Sequence, residues 1–177
     1  MLGHCIKTSS RLKDSKCPTC SLLLIHIDDA YNPTAKMAVI GVVARDASDY
    51  VLDGLATTLG GIYDPGLAEL DSLVAAVNLV AEENWRDIVI KLGSITIINL
   101  YNDAVGDDST IGVHMRAIRE KMYYFNSFLV TYVRREANVV AHKLAQRALD
   151  CNAYYFFEAD VPPFTITDVK RDCSLID

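Results

Sequence analysis

Residues 21–30, with the sequence SLLLIHIDDA, join an apolar run to two adjacent acids, Asp28 and Asp29. The run is interrupted only by His26, and an apolar stretch of this kind predicts a strand that is buried on both faces of a sheet. Acids at the end of such a strand can meet solvent or a metal ion. A second explanation remains open, because Tyr31-Asn-Pro33 has the composition of a turn and two acids often begin one.

The composition is that of a single globular domain. The chain has 177 residues, of which 51% are hydrophobic, enough to bury a core of its own. No apolar run approaches the ~18 residues of a membrane helix, so we expect no contact with a membrane. The five cysteines are an odd number in a core-rich chain, which favours reduced thiols and an intracellular protein of the cytoplasm or nucleus.

The two ends of the chain differ in character from its middle. We expect residues 1–19 to form a flexible N-terminal segment, residues 20–150 to form the domain, and residues 151–177 to form a tail that packs on it. The first segment carries several bases and one acid, a weak hint of mitochondrial targeting. Cys17 and Cys20, at the boundary of this segment, have the spacing of half a zinc site, which His4 and Cys5 could complete at an unusual separation.

Charge is unevenly distributed along the chain. The net charge of −6 argues against a surface that binds phosphates generally. However, residues 46–87 contain nine acids and one base, whereas residues 116–147 contain seven bases and two acids. The basic half could bind nucleic acid or an acidic protein, and the candidate residues are Arg134, Arg135, Lys143 and Arg147.

The periodicity of apolar residues predicts an α/β fold. It indicates a mixed five-stranded sheet whose first three strands are antiparallel, with helices on both faces and the order β-β-β-α-β-α-α-β-α. The strands are expected at 21–30, 37–45, 50–59, 87–92 and 128–133, and the helices at 67–84, 94–101, 111–125 and 139–149, the last capped by Asn138.

Local motifs on this order carry a family resemblance. They are IHID at 25–28, LAEL at 67–70, REANVVAHKLA at 135–145 and the tail FFEADVPPF at 156–164. Together they resemble the ribonuclease H fold and, more narrowly, the plant reverse transcriptase-like ribonuclease H domain family, over about residues 20–168. The motif at 135–145 is the most distinctive of them.

The resemblance implies a two-metal hydrolysis of the RNA strand in RNA–DNA hybrids. In such a site, carboxylates from the first strand, the first helix, the fourth strand and the last helix hold two Mg²⁺ or Mn²⁺ ions. By this resemblance Asp28 corresponds to the first ligand and Glu69 to the second. The third position, an acid just before Ser94, falls on Gly93, and the fourth falls on His142.

Two carboxylates are too few for a site of two ions. We expect Asp28 and Glu69 to hold at most one ion weakly, because Mg²⁺ prefers oxygen over the imidazole of His142. Asp29 should point to the opposite side of its strand from Asp28, and Lys91 places positive charge on the strand that ends at Gly93.

These residues lead to two hypotheses about function. The first is a ribonuclease H-like domain with a degenerate site, which is catalytically inactive and binds a protein partner or nucleic acid, the protein partner being favoured. The alternative is an active ribonuclease for RNA–DNA hybrids, which alone would need Mg²⁺ or Mn²⁺ as a cofactor.

Overall fold

The computed structural model describes residues 22–60, 65–103, 109–158 and 160–174. The predicted N-terminal segment, with its zinc and targeting predictions, lies outside the described residues. The described elements are β1 (Leu23–Asn32), β2 (Met37–Arg45), β3 (Val51–Leu59), α1 (Pro65–Glu82), β4 (Asp87–Leu92), α2 (Ile95–Asp103), α3 (Thr110–Met122), β5 (Ser127–Tyr132), α4 (Val139–Cys151), β6 (Tyr155–Glu158) and α5 (Ile166–Ser174).

The sheet has β1 near its centre, as the apolar run predicts. Its strand order is β5-β4-β1-β2-β3-β6. β1 pairs antiparallel with β2 and parallel with β4, and β2 pairs antiparallel with β3. The first three strands therefore form the predicted antiparallel unit, and the mixed sheet with helices on both faces is confirmed.

The number of strands differs from the prediction, because β6 adds a sixth strand. It pairs antiparallel with β3, and Phe157 lies opposite Gly54. The ring of Phe157 occupies the space that a side chain at Gly54 would fill. A four-residue strand that follows a helix lacks the length and alternation by which strands are recognised in a sequence.

Helices cover the two faces of the sheet unequally. α1 and α3 pack on one face, over a core rich in leucine and isoleucine, while α4 lies across β1, β2 and β3 on the other. α4 approaches β2 very closely at Gly41, where an added Cβ would collide with the carbonyl oxygen of Ala141 and lie 2.9 Å from the amide of Ala145. This close approach fixes α4 beside the end of β1.

The N-terminus of α4 is capped by a residue from α5. The buried carboxylate of Asp172 accepts hydrogen bonds from the amides of Val139 and Val140, at 3.1 and 3.0 Å. It also pairs with the buried guanidinium of Arg45 at 3.3 Å. Asn138 occupies the N-cap position, but its side chain makes no capping hydrogen bond, so the predicted cap is replaced by one from a distant segment.

Among the described helices, none has both the length and the apolar character needed to cross a membrane.

Candidate active site

A cleft of about 250 Å³ opens at the end of β1, where the strand leaves the core. It lies between the end of β1, the second turn of α1, the end of β4 and the turn that precedes α4. Its polar and charged lining comprises Asp28, Asp29, Glu69, Ser72, Ser94, Arg135 and Asn138.

Asp28 lies on the α4 side of this cleft. Its Oδ1 accepts a hydrogen bond from the amide of Asp29 at 2.9 Å. Its Oδ2 lies 3.2 Å from Nδ1 of His142, an ion-pair distance. Burial raises the pKa of Asp28, and the Asp29 amide and the charges of His142 and Arg135 oppose that rise. Asp28 and His142 therefore form a close pair, as two members of the predicted site.

Asp29 lines the same cleft as Asp28. Burial raises its pKa to about 7, and the negative charges of Asp28 and Glu69 contribute to the rise. The sequence places the two adjacent side chains on opposite sides of β1, but the cleft extends around the end of the strand and reaches both. The cleft thus holds one carboxylate more than the family resemblance assigns to it.

Glu69 is positioned by the start of α2. Its Oε2 accepts a hydrogen bond from the hydroxyl of Ser94 at 2.7 Å. The same hydroxyl oxygen accepts a longer hydrogen bond, at 3.4 Å, from the amide of Ile97 in the first turn of α2. This arrangement fixes Glu69 at the wall of the cleft next to the end of β4.

Gly93, at the third ligand position, leaves the cleft open at the end of β4. It is exposed, and an added Cβ would make only an ordinary contact, 3.9 Å from the carbonyl oxygen of Val133. The space therefore admits an aspartate, so the missing acid is a property of the sequence and not a steric consequence of the fold. Lys91, two residues earlier, lies opposite His26 in the register of β4 and β1.

The donor set does not fit two divalent ions. Among the residues that the structure describes, no three His, Cys, Asp or Glu side chains converge closely enough to hold a metal ion. Asp28 is instead paired with the imidazole of His142, and the guanidinium of Arg135 shares the cleft with the carboxylates. Hard cations such as Mg²⁺ require several oxygen ligands, which this arrangement does not supply for a pair of ions.

The four basic candidates are divided between two places. Arg134 and Arg135 are exposed near the cleft, and Arg135 lines it. Lys143 and Arg147 lie on the outer side of α4, against the C-terminal segment. Nζ of Lys143 pairs with Asp168 at 2.7 Å, and the guanidinium of Arg147 lies 6.0 Å from the ring centre of Phe164.

Asn138 is a cleft residue that the sequence indicated only as a helix cap. Its Nδ2 donates to the carbonyl oxygen of Ile27 at 2.8 Å, and its Oδ1 lies 3.2 Å from Nδ1 of the buried His26. These contacts join the start of α4 to the last buried residues of β1. Apart from that prediction of a cap, the one sequence signal was its place in the REAN motif.

Comparison with known proteins agrees with this fold. A protein-family search matched the reverse transcriptase-like family over residues 27–148. Ribonuclease H1 of the halophilic archaeon Halobacterium salinarum is 24% identical, with a TM-score of 0.65 over 73% of this chain and 98% of that protein. LC11-RNase H1, obtained from compost by a metagenomic approach and solved in complex with an RNA/DNA hybrid, is 21% identical, with a TM-score of 0.62 over 73% of this chain and 98% of that one.

The N-terminal ribonuclease H domain of rv2228c from Mycobacterium tuberculosis is 17% identical, with a TM-score of 0.62 over 73% of this chain and 94% of that one. A search of the curated proteins gave no match. The structural likenesses establish a ribonuclease H-like fold, and the family match covers well over half of the sequence. The chain therefore belongs to the reverse transcriptase-like family.

Proposed function

We propose that this chain is a ribonuclease H-like module that does not hydrolyse nucleic acid and acts by binding, in the first place to a protein partner. The observation that carries the proposal is Gly93, which leaves the end of β4 without a carboxylate in a cleft that has room for one. Without a carboxylate at position 93, Asp28 and Glu69 supply too few oxygen ligands for a pair of metal ions.

The basic residues support a protein partner more than a nucleic acid. Two of the four, Lys143 and Arg147, already contact Asp168 and Phe164 of the C-terminal segment. Binding to a phosphate backbone depends on the number of bases that reach it. With two bases engaged and a net charge of −6, attraction for a duplex is weak.

The deciding experiment is cleavage of a labelled RNA–DNA hybrid in Mg²⁺ or Mn²⁺. We expect no cleavage by the native chain, and none by Asp28→Asn. Cleavage by the native chain that disappears in Asp28→Asn would overturn the proposal, because it would show that the cleft works without an acid at position 93.

Restoring the missing acid tests the reason for inactivity. We expect Gly93→Asp, combined with His142→Asp, to gain hybrid cleavage, because it brings the number of cleft carboxylates to that of a two-ion site. Gly60→Asp is the matched control: it adds the same charge at an exposed glycine where a Cβ would meet nothing. Cleavage after the control substitution would show that the gain does not come from the cleft.

A second candidate, an active metal-dependent ribonuclease, is favoured by one observation. Asp29 lines the cleft with Asp28 and Glu69, so a third carboxylate stands near the two expected ligands, although the three do not converge on one point in the structure. Titration calorimetry with millimolar Mn²⁺ tests this candidate. It requires binding by the native chain that is lost in Asp29→Asn, and heat that is the same in both proteins would exclude it.

A further inference from the structure

β5 is an edge strand that lacks the usual protection of a sheet edge. It is the last strand on its side of the sheet, and no strand of the described residues pairs with its outer side. Its six residues include no charged residue and no proline, the residues by which natural sheets prevent pairing with another chain. β6, at the opposite edge, has four residues, ends in Glu158 and is followed by Pro162 and Pro163. The two edges therefore differ, and the edge at β5 is the open one.

The backbone of β5 presents hydrogen-bonding groups to the outside of the sheet. The amides of Ser127 and Val133 donate to carbonyl oxygens of β4 and of the residue before it, at 3.1 and 3.0 Å. Because the backbone groups of a strand alternate between its two sides, the N–H and C=O groups of Phe128, Val130 and Tyr132 point away from β4. These three residues can pair with an added strand.

Large apolar side chains are exposed along the same edge. Leu129 is 51% exposed and Tyr132 is 49% exposed, and Tyr123 and Tyr124, in the turn before β5, are also exposed. Leu129 lies beside the aliphatic side chain of Val89 in the register of the two strands, so a partner strand would extend an apolar row. Apolar side chains that are exposed together are typical of a surface that another protein covers.

Basic residues flank β5 at both ends. They are Arg86 and Lys121 near its start and Arg134 and Arg135 beyond its end. Asp87, which pairs with Ser127, and Glu136 offset only part of this charge, because residues 116–147 contain seven bases and two acids. Acids on either side of an apolar strand would therefore complement this surface.

We infer that the outer edge of β5 binds an extended segment of a protein partner, in which apolar side chains alternate with polar ones and acids lie at both ends. The inference rests on the proposed function, because it assigns a surface and a chemical class to the protein partner. The segment adds a strand to the sheet through the backbone of Phe128, Val130 and Tyr132. A second copy of this chain fits the edge less well, since its basic half would meet the same bases.

The probe is a synthetic peptide of about ten residues, in which valine and threonine alternate between acidic ends. We expect the fluorescein-labelled peptide to bind the full chain in fluorescence anisotropy. Binding should be at least about tenfold tighter than that of the same peptide with lysines in place of its acids. Methylation of the peptide's backbone nitrogens should abolish binding, because it removes the donors that pair with β5.

Tyr132→Pro tests the edge from the side of the protein. The N–H of Tyr132 points outward, so its loss leaves the ladder between β5 and β4 intact and blocks only an added strand. Tyr132→Ala is the matched control, because it removes the same side chain and keeps the N–H group. We expect Tyr132→Pro to bind the acidic peptide at least about tenfold more weakly than Tyr132→Ala. Circular dichroism of both variants verifies that they are folded.

The inference would be overturned if the acidic peptide did not bind the full chain, or if the lysine peptide or the methylated peptide bound equally well. Equal binding by the two folded variants would also overturn it. Sedimentation velocity tests a second copy as the occupant: we expect a monomer, and a dimer that Tyr132→Pro dissociates would contradict the inference.

Hybrid cleavage decides the proposed function separately from the peptide assay. A chain that neither cleaves the hybrid nor binds the peptide would overturn this inference and leave the proposed function standing. A chain that cleaves the hybrid and binds the peptide would overturn the proposed function and leave the peptide site at β5.

Discussion

His26 and Asn138 join β1 to α4 beneath the cleft. Because Oδ1 of Asn138 is an acceptor, the proton of the neutral imidazole lies on Nδ1 of His26, which faces it at 3.2 Å. Nε2 then faces the interior without a hydrogen bond. Burial, followed by the charges of Arg45 and Lys91, lowers the pKa of His26 to about 3, although the hydrogen bond to Asn138 opposes the shift. The fold therefore excludes the charged form of this side chain.

His26 should make the fold sensitive to acid. Its pKa falls from 6.5 to about 3 on folding. At pH values between these two, the unfolded chain therefore binds a proton at His26 that the folded chain does not bind. The stability associated with neutral His26 is present above pH 6.5 and is lost as the pH falls, by about 1.4 kcal/mol per pH unit. Between pH 7 and pH 5 we expect a contribution of about 2 kcal/mol to the loss of unfolding free energy.

Urea denaturation of the native chain and of His26→Asn at both pH values measures this contribution. The carboxyls with raised pKa, such as Asp29 and Asp53, act in the opposite direction, but they are common to both proteins and cancel in the comparison. The prediction fails if the two proteins lose the same free energy between pH 7 and pH 5.

Single residues can be predicted from the sequence when their role follows from the spacing of the apolar residues around them. Asp28 is found by the end of an apolar run and Glu69 by its place on a helix face. Asn138 is different, because its hydrogen bond reaches the carbonyl oxygen of Ile27, 111 residues away. A contact of that range leaves no local pattern, so the residue type alone suggested a helix cap.

Among the elements, the packing of α4 on β2 depends on the absence of a side chain at Gly41. We expect Gly41→Ala to lower the unfolding free energy by about 3 kcal/mol or more, because the methyl group would meet the backbone of α4 and not a flexible side chain. Gly60→Ala, in open space, should change it by less than about 0.5 kcal/mol. Denaturant unfolding of both variants measures the difference, and equal effects would show that α4 can move away freely.

The cap on α4 gives a second prediction for an element. Asp172→Ala removes both the cap and the carboxylate that faces the buried Arg45. We expect a loss of about 3–5 kcal/mol, the usual cost of removing one member of a buried ion pair. Asp168→Ala, in the same helix, removes a buried carboxylate whose lysine partner is 45% exposed. Because this lysine reaches solvent and is not left as a buried charge, the substitution should cost less than Asp172→Ala, about 1–2 kcal/mol. Similar losses of unfolding free energy in the two variants would contradict this account.

The elements that the sequence revealed least are those of the C-terminal segment. β6 is four residues long, and its place in the sheet depends on Phe157 filling the space above Gly54, 103 residues earlier. The five longer strands follow from apolar patterns within each strand. The sixth strand depends on the fit between Phe157 and the distant Gly54, and the apolar pattern of the sequence gives no information about such a contact.

Over the whole molecule, the C-terminal segment controls how much of the basic half faces outward. Asp168 neutralises Lys143, and Phe164 lies beside Arg147, which leaves Arg134 and Arg135 exposed near the cleft. Of the four candidate bases, only these two remain available, and the chain carries a net charge of −6, so the candidate surface contacts few phosphates. Its affinity for a hybrid duplex should therefore be low and should depend only shallowly on salt.

Releasing Lys143 should strengthen the binding of an RNA–DNA hybrid. We expect Asp168→Asn to tighten binding at low salt and to steepen the dependence of log K on log salt concentration by about 0.9, the value for one more phosphate contact. Fluorescence anisotropy of a labelled hybrid across a salt series measures both quantities.

Asp150→Asn is the matched control, because it removes the same charge at the end of α4 from an acid that accepts a hydrogen bond from Gln146 and holds no base. If both variants tightened binding equally, the effect would come from net charge and not from Lys143. If neither variant nor the native chain bound the hybrid at low salt, the basic residues would not bind nucleic acid. That result would support the protein partner that the proposed function favours.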